Sequence, residues 1–426
     1  MNSQFKHIVG LGLALTLGLT LTGPLRAQTR ETAATEPPQT ELVPESEPTA
    51  PPSKKSGKLL LSSEDGRFSI RPLMLAQPIV VIPIDGEIDS PAAGSGIQLK
   101  RARLGAEATL FDISAIKIWG DFRNGTPELV DAYVDINPLD GALVVRAGWF
   151  RPWFGRQRLG SSSQFQLVET AMAWSDKRFG LNLNRDLGIA LSGTAQDFFE
   201  WGIGIFNGEK TFALGGNRDM GMAARFAVHP LALGPGTSLE PGDETAYKMS
   251  EKPALSIGGA LSFERRRDRS ITPDPELDPL LYEDIQFKAG GEIAFQWSRI
   301  ALLSELFWMK TAVDEDADAD ALAALDAESP TASLNGSGMG AYFQFGIMAV
   351  RDRLELAGRF DWVDEHLDTD GSRFYPAFGT NIYLKGHNLK LQAFYRAEVS
   401  VGYEEDHSAY RDRPTHLIEI MLQAGF

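Results

Sequence analysis

Arginines recur at every second position in several short stretches, and this spacing is the first feature with chemical content. Arg101 and Arg103 share a face with Gly105, Glu107 and Thr109, opposite Ala102, Leu104, Ala106, Ala108 and Leu110. Lys117, Trp119, Asp121 and Arg123 oppose Ile116, Ile118, Gly120 and Phe122. The same alternation puts Arg146, Arg225, Arg353, Arg359, Lys390 and Arg396 on polar faces. A guanidinium presents several N–H donors in a fixed fork and stays charged at any accessible pH, which suits oxyanions. In a narrow passage such a row attracts anions and repels cations. Interleaved Glu107, Asp121, Asp131, Asp135, Glu355, Asp361 and Glu398 leave a second outcome open, in which bases and acids pair and merely keep a wall wet.

The densest basic and aromatic run lies between Arg146 and Gly193. Its central loop, 154–182, holds Arg156, Arg158, Lys177 and Arg178 against Glu169 and Asp176, a local excess of positive charge. Trp153, Phe165, Trp174 and Phe179 are candidate anchors for it. A loop this long without regular structure of its own is uncommon unless it has a function. Folded inward, it would carry its four bases to the narrowest point of a pore. A second cluster, Arg265-Arg266-Arg267-Asp268-Arg269, reads as the start of another outer loop. It would either draw anions towards a vestibule or lie on a solvated, lipopolysaccharide-contacting surface.

Catalysis and cofactors find little support. The chain has no cysteine, so it has no disulfide, thiol nucleophile or thiolate metal site. His229, His366, His387, His407 and His416 are scattered without metal-ligand spacing. Neither a G-x-S-x-G elbow nor a P-loop is present. The run 314–320, D-E-D-A-D-A-D, lacks the Gly and Glu of a calcium-binding EF-hand loop and reads as a solvated acidic loop. A formal net charge of -16 argues against a nucleic-acid partner. It leaves open the sign of the field inside a channel, which depends on the charges facing the lumen.

The elements that must hold these side chains follow a period of 2 from Leu59 onward, the period of a β-strand with unlike faces. About sixteen strands can be counted, beginning with 66–77, 97–110, 113–123, 128–137 and 142–153. Links after even-numbered strands are tight, as at Phe111-Asp112, whereas most links after odd-numbered strands are long, as at 154–182 and 311–337. A soluble sandwich has no reason to sort its loops by parity; an outer-membrane barrel does, with short periplasmic turns and long external loops. One link breaks the rule. His229 to Lys252, after the eighth strand, is long where a tight turn is expected, through either a missed hairpin or a true insertion. The last strand alternates Ile418, Ile420, Leu422, Ala424 and Phe426 and ends on that aromatic residue, as outer-membrane barrels do.

Upstream, Lys6 and His7 precede the uncharged apolar run Ile8–Thr22 and a small-residue cleavage candidate at Ala27, so 1–27 reads as a secretory signal peptide. That run is too short for a spanning helix. Residues 28–58 are rich in Pro, Glu, Thr and Ser and read as a disordered periplasmic linker. The barrel would occupy 59–426.

Within it, Arg101-Ala102-Arg103-Leu104-Gly105, Asp131-Ala132-Tyr133-Val134-Asp135, Gly148-Trp149-Phe150-Arg151 with Phe154-Gly155, Arg185-Asp186-Leu187-Gly188 and Phe206-Asn207-Gly208 resemble the phosphate-selective porins, the O and P porin family. The resemblance implies an all-β, transmembrane antiparallel barrel of about sixteen strands, a homotrimer, pore-folded loops and a ladder of lumenal arginines that conducts small anions. Arg101, Arg103, Arg123, Arg146, Arg225, Arg359 and Arg396 are the candidate ladder, and Arg156, Arg158, Lys177 and Arg178 the candidate constriction. The chain departs from the family pattern at Arg151-Pro152-Trp153-Phe154 and at Glu169-Thr170, and the lysine cluster of phosphate binders finds no position-by-position match. The expectation is therefore an outer-membrane porin for small hydrophilic solutes with a preference for anions, bordered by lipid and lipopolysaccharide. A general or cation-preferring porin and a structural barrel tethered to the wall by 28–58 are the alternatives.

Overall fold

The computed structural model describes residues 60–85, 95–175, 179, 181, 183–208, 220–231, 239–242, 244–247, 251–271, 280–313, 336–364, 367, 371–402 and 415–426, with side chains left aside at 266–271, 280–283 and 313. The expected signal peptide and linker, the acidic run 314–320, and Lys177 and Arg178 lie outside the described residues.

The chain from Lys58 to Phe426 forms one compact unit. A two-residue strand β1 (Leu61–Ser62) precedes β2 (Phe68–Pro83), β3 (Gly96–Leu110), β4 (Ser114–Asp121), β5 (Glu128–Ile136) and β6 (Val144–Phe150). After a long loop come β7 (Asp186–Ala195), β8 (Phe199–Phe206), β9 (Gly221–Val228), β10 (Ala254–Ile271), β11 (Leu280–Trp297) and β12 (Ile300–Val313). The rest of the wall is β13 (Gly336–Val350), β14 (Leu354–Asp364), β15 (Ser372–Tyr383), β16 (Leu389–Ala397), β17 (Val399–Val401) and β18 (His416–Gly425).

Every strand pairs antiparallel with its neighbours, and β18 pairs back onto β2 through Leu417↔Pro83 to Gly425↔Leu75, closing a barrel of sixteen strands. β1 only extends the edge of β2, and β17 continues β16 on β15. Closure leaves no open edge, the requirement for a sheet in lipid. The carboxy-terminal residue takes part, since Phe426 exchanges backbone hydrogen bonds with Met74 at 3.0 and 3.2 Å.

The tight turns fall where parity places them. Phe111 and Asp112, at φ 55° and 62°, and Gln196 and Asp197, at 52° and 56°, adopt the left-handed pairs whose twist matches two-residue hairpins. Alternation divides the faces as expected. Leu104, Ile118, Ile189 and Leu261 are more than half exposed on the outside, where lipid covers them, while Gln77, Asn381 and Gln392 are wholly buried inside. Three boundaries differ from the sequence reading. β2 runs on to Pro83 rather than ending at 77, with a register shift at Gln77/Pro78 because proline cannot donate to the ladder. β10 runs on to Ile271, so the Arg265–Arg269 cluster belongs to a strand extension and not to a loop. β4 ends at Asp121, which leaves Arg123 in the link beyond it. The unusual connection from His229 to Lys252 adds no hairpin to the wall, since β9 pairs directly with β10, and its described residues contain no strand.

Candidate functional site

A sixteen-stranded barrel encloses a water-filled lumen unless something enters it. Here the β6–β7 loop, residues 151–185, does so. Gly155 starts the descent at φ 68°, a left-handed conformation that suits glycine, and the Trp174 ring packs where a side chain would stand. Two single-turn helices follow, α1 (Arg156–Leu159) and α2 (Met172–Ser175). Both are too short to be stable alone, so tertiary contacts hold them.

Those contacts are made almost wholly with the β10–β18 side. Phe154 and Trp174 pack against Phe307 of β12 at ring-centre distances of 6.0 and 4.4 Å, and Phe179 packs over Gly340 of β13. Phe154, Phe179 and Phe307 are at most 1% exposed. Burial of each such ring is worth about 1.5–3 kcal/mol. Of the expected anchors, Trp174, Phe179 and Phe165 join this buried face, while Trp153 turns to Gly202 of β8.

Polar ties complete the attachment. Glu305 of β12 accepts from Arg156 N at 2.5 Å, Gln157 N at 3.1 Å, Trp174 Nε1 at 3.3 Å and Tyr342 Oη at 2.5 Å. Glu355 accepts from Gln166 Nε2, Asn381 Nδ2 and Tyr383 Oη at 2.6–2.8 Å. Arg359 donates to the carbonyls of Glu169 and Thr170, Lys390 to that of Phe165, and Asp361 accepts from Met172 N. A buried charge is tolerable only when its hydrogen-bonding capacity is filled, and the loop backbone fills it. The tip of the loop thus reaches Lys390, at the start of β16, and Gln423, near the end of β18, close to the tight-turn rim.

On the opposite side, between the loop and β2–β9, a cavity of about 870 Å³ remains open. Six bases line it, Arg71, Arg103, Lys117, Arg146, Arg151 and Arg185, beside five carboxylates, Glu107, Asp131, Asp197, Glu200 and Glu240. Neighbouring strands pair many of these: Arg71 with Glu107 at 2.5 Å, Arg185 with Asp131 at 2.6 Å, and Arg146 with both oxygens of Asp135 at 2.7 Å while lying 3.9 Å over the Tyr133 ring. Lys117 approaches Asp131 at 3.6 Å.

The balance shifts where the loop meets this wall. Arg103 reaches Asp121 at 3.0 Å and Ser162 at 3.1 Å, Arg158 donates to Asn184 at 2.9 Å, and Arg151 donates to the carbonyls of Arg158 and Gly160. Burial, together with Arg185, Arg158 and Arg103, lowers the Arg151 guanidinium well below its ordinary range. Burial and the charges of Arg185 and Arg103 bring Arg158 to about 10. Each is crowded by like charge, and its charged form gains from any anion that enters. The Arg151 Nε, buried, finds no hydrogen-bond partner among the described residues.

The expected ladder divides accordingly. Arg103 and Arg146 face the cavity. Arg101 bonds Gln77 at 2.7 Å and lies 5.8 Å over the Phe165 ring, at the loop margin. Arg123 differs from expectation: it is exposed beyond β4 and bonds the Lys100 carbonyl at 3.2 Å. Arg225 also differs, since it is fully enclosed between Glu200 at 2.7 Å and Glu292 at 2.6 Å. Arg359, paired to Asp361 at 2.8 Å, is sealed under the loop, and Arg396 rests against Met172 Sδ at 3.9 Å. Within the loop, Arg158 joins the crowded group, whereas Arg156 is 1% exposed and holds Ser256 and the Glu240 carbonyl, so it fastens the loop instead of lining the passage. Arg353 stands in the β13–β14 turn. Sequence reasoning missed Arg71, Arg151 and Arg185 as lining residues. Arg151 and Arg185 bracket the loop, and their place just outside it was the available signal.

Solved structures with this architecture include an anion-selective porin from Comamonas acidovorans, with 13% identity, a TM-score of 0.54 and coverage of 84% of this chain and 100% of that one. The outer-membrane channel DcaP of Acinetobacter baumannii aligns at 11% identity and a TM-score of 0.52, over 86% of this chain and 99% of that one. A loop L8 deletion mutant of OmpT of Vibrio cholerae aligns at 10% identity and 0.55, over 84% and 100%. At such identities the likeness is one of fold. No curated protein matches the sequence. The family model described as phosphate-selective porin O and P matches residues 84–426, which is most of the barrel. The chain therefore belongs to the phosphate-selective porin O and P family, and is a porin of the bacterial outer membrane.

Proposed function

We propose that the protein is a passive channel for small hydrophilic anions of the phosphate type, selected at the crescent between the β6–β7 loop and β2–β9. The observation that supports this most is the crowding of Arg103, Arg151, Arg158 and Arg185 where the passage is bounded by the loop. Guanidinium forks replace part of the hydration shell of an oxyanion, and nearby walls of low dielectric strengthen the attraction. The near balance of six bases and five carboxylates over the whole cavity favours a modest preference over strict exclusion of cations. The working unit is taken to be a homotrimer set in lipid and lipopolysaccharide.

Planar-bilayer recordings across a potassium chloride gradient test the reading. The wild-type reversal potential is expected on the anion side, and Arg151→Ser, Arg158→Ser and Arg185→Ser combined should move it towards zero with the conductance kept. Cation selectivity in the wild type would sink the proposal. Native gels in mild detergent test the trimer.

A further inference from the structure

The β9–β10 connection is the one tight-turn-side link that is long, and most of the described residues between 239 and 247 are buried. Leu239, Glu244, Thr245 and Ala246 are all at most 6% exposed. They meet the loop that descends from the opposite rim. A Cβ on Gly160 would stand 2.6 Å from Gly242 Cα, so the two backbones touch. Gly242 sits at φ 104°, which adds a conformational reason for glycine there. Glu244 accepts from Gln166 N and from Gln344 Nε2, each at 3.1 Å, and so ties the loop tip to β13. The Glu240 carbonyl accepts from Arg156. On its far side the connection rests on the wall, with the Tyr247 ring 4.8 Å from Tyr383 and 5.6 Å from His387. Glu240 and Pro241 also line the open cavity beside Gly160 and Ser161.

We infer that this connection is the second half of the constriction, a selectivity-determining brace. It supports the loop tip from the periplasmic side, and the two segments together close the β10–β18 half of the lumen and confine permeation to the crescent. The wall holds the loop from the side through Glu305, Glu355, Arg359 and Lys390; a partner entering from the opposite rim and bonded to the tip adds support from beneath. The bonds join a backbone carbonyl and a buried carboxylate of the connection to a guanidinium and a backbone N–H of the loop, an arrangement suited to a permanent strut. The inference rests on the porin reading.

Its test replaces residues 232–251 by a short Asn-Gly turn, with heat-modifiable migration in detergent gels to establish that the barrel forms. If the brace acts as stated, conductance rises about twofold or more as the closed half opens, and anion preference falls. A conducting wild type with an unchanged variant overturns the inference; a wild type that does not conduct overturns the porin reading instead. Should the deletion fail to fold, Ser161→Cys with Pro241→Cys, the neighbours of the touching glycines, provides a second measurement in a chain otherwise free of cysteine. A short bismaleimide is expected to join the pair in intact outer membranes without changing conductance. Absence of cross-linking in a folded barrel overturns the brace.

Discussion

The two halves of the barrel wall are built to the same pattern and end in opposite states. On β2–β9, inward charges such as Arg146, Asp135, Arg71 and Glu107 keep 18–34% of their side-chain surface in contact with water and pair across neighbouring strands. On β12–β16, Glu305, Glu355, Asp361 and Lys390 are at most 1% exposed, and each has a partner in the loop. The same residue types thus act as a hydrated lining on one side and as dry fasteners on the other. What differs is which half the descending loop covers, and the loop chooses by its rings. Phe154, Trp174 and Phe179 find Phe307, Tyr342 and Gly340 on the second half. A charge in the lumen therefore has no function readable from its direction alone.

The sharpest way to break this contrast is to remove a fastener. Glu305→Ala orphans two backbone N–H groups, the Trp174 indole and the Tyr342 hydroxyl, each at a cost of about 1–3 kcal/mol. The loop should detach, with raised conductance and new tryptic cleavage at Arg156 or Arg158; an uncleaved loop would refute its role as a fastener.

Next in size is Arg225→Met, which leaves Glu200 and Glu292 buried without their cation, a loss of about 3–5 kcal/mol. The denaturant midpoint should fall, and adding Glu200→Gln and Glu292→Gln should restore most of it.

A smaller effect follows from pH. Burial, aided by the charge of Lys390, presses the His387 imidazole from its ordinary 6.5 down to about 3. Between those values the unfolded chain binds a proton that the folded chain rejects. The His387 contribution to stability is therefore intact above pH 6.5 and is lost as the pH falls towards 3. Urea midpoints at pH 7 and pH 4 should differ less in His387→Gln than in the wild type.

The smallest stability effect belongs to the open half. Arg146→Ala removes a partly hydrated pair worth about 0–1 kcal/mol and should leave the midpoint nearly unchanged while moving the reversal potential away from anions. A large fall in stability would mean that the two halves are less different than their exposure indicates.

Much of the wall was legible because strand geometry is a local rule. Alternation at 101–110 and 116–121 identified the inward set, and the parity of connections identified the rims, since both depend only on a period of 2 and on turn length. The loop was marked by its length, bases and aromatics. Its fasteners were not, because Glu305, Glu355 and Asp361 lie 131–189 residues from the loop groups they bind and read locally as ordinary lumen-facing acids. The same holds for Arg156 and Arg158, two residues apart on one short helix: one is sealed against Ser256, while the other joins the crowded arginines.

By itself, then, the sequence determined a closed antiparallel barrel with charged lining, apolar exterior and a basic loop free to enter it, because those properties follow from alternation, composition and turn chemistry. Only the tertiary structure decided which half of the lumen stays open, which arginines line the open cavity, and that the inserted β9–β10 connection meets the loop. Those outcomes depend on contacts between distant segments, where shape and the filling of buried hydrogen bonds select one arrangement among many that the same pattern permits.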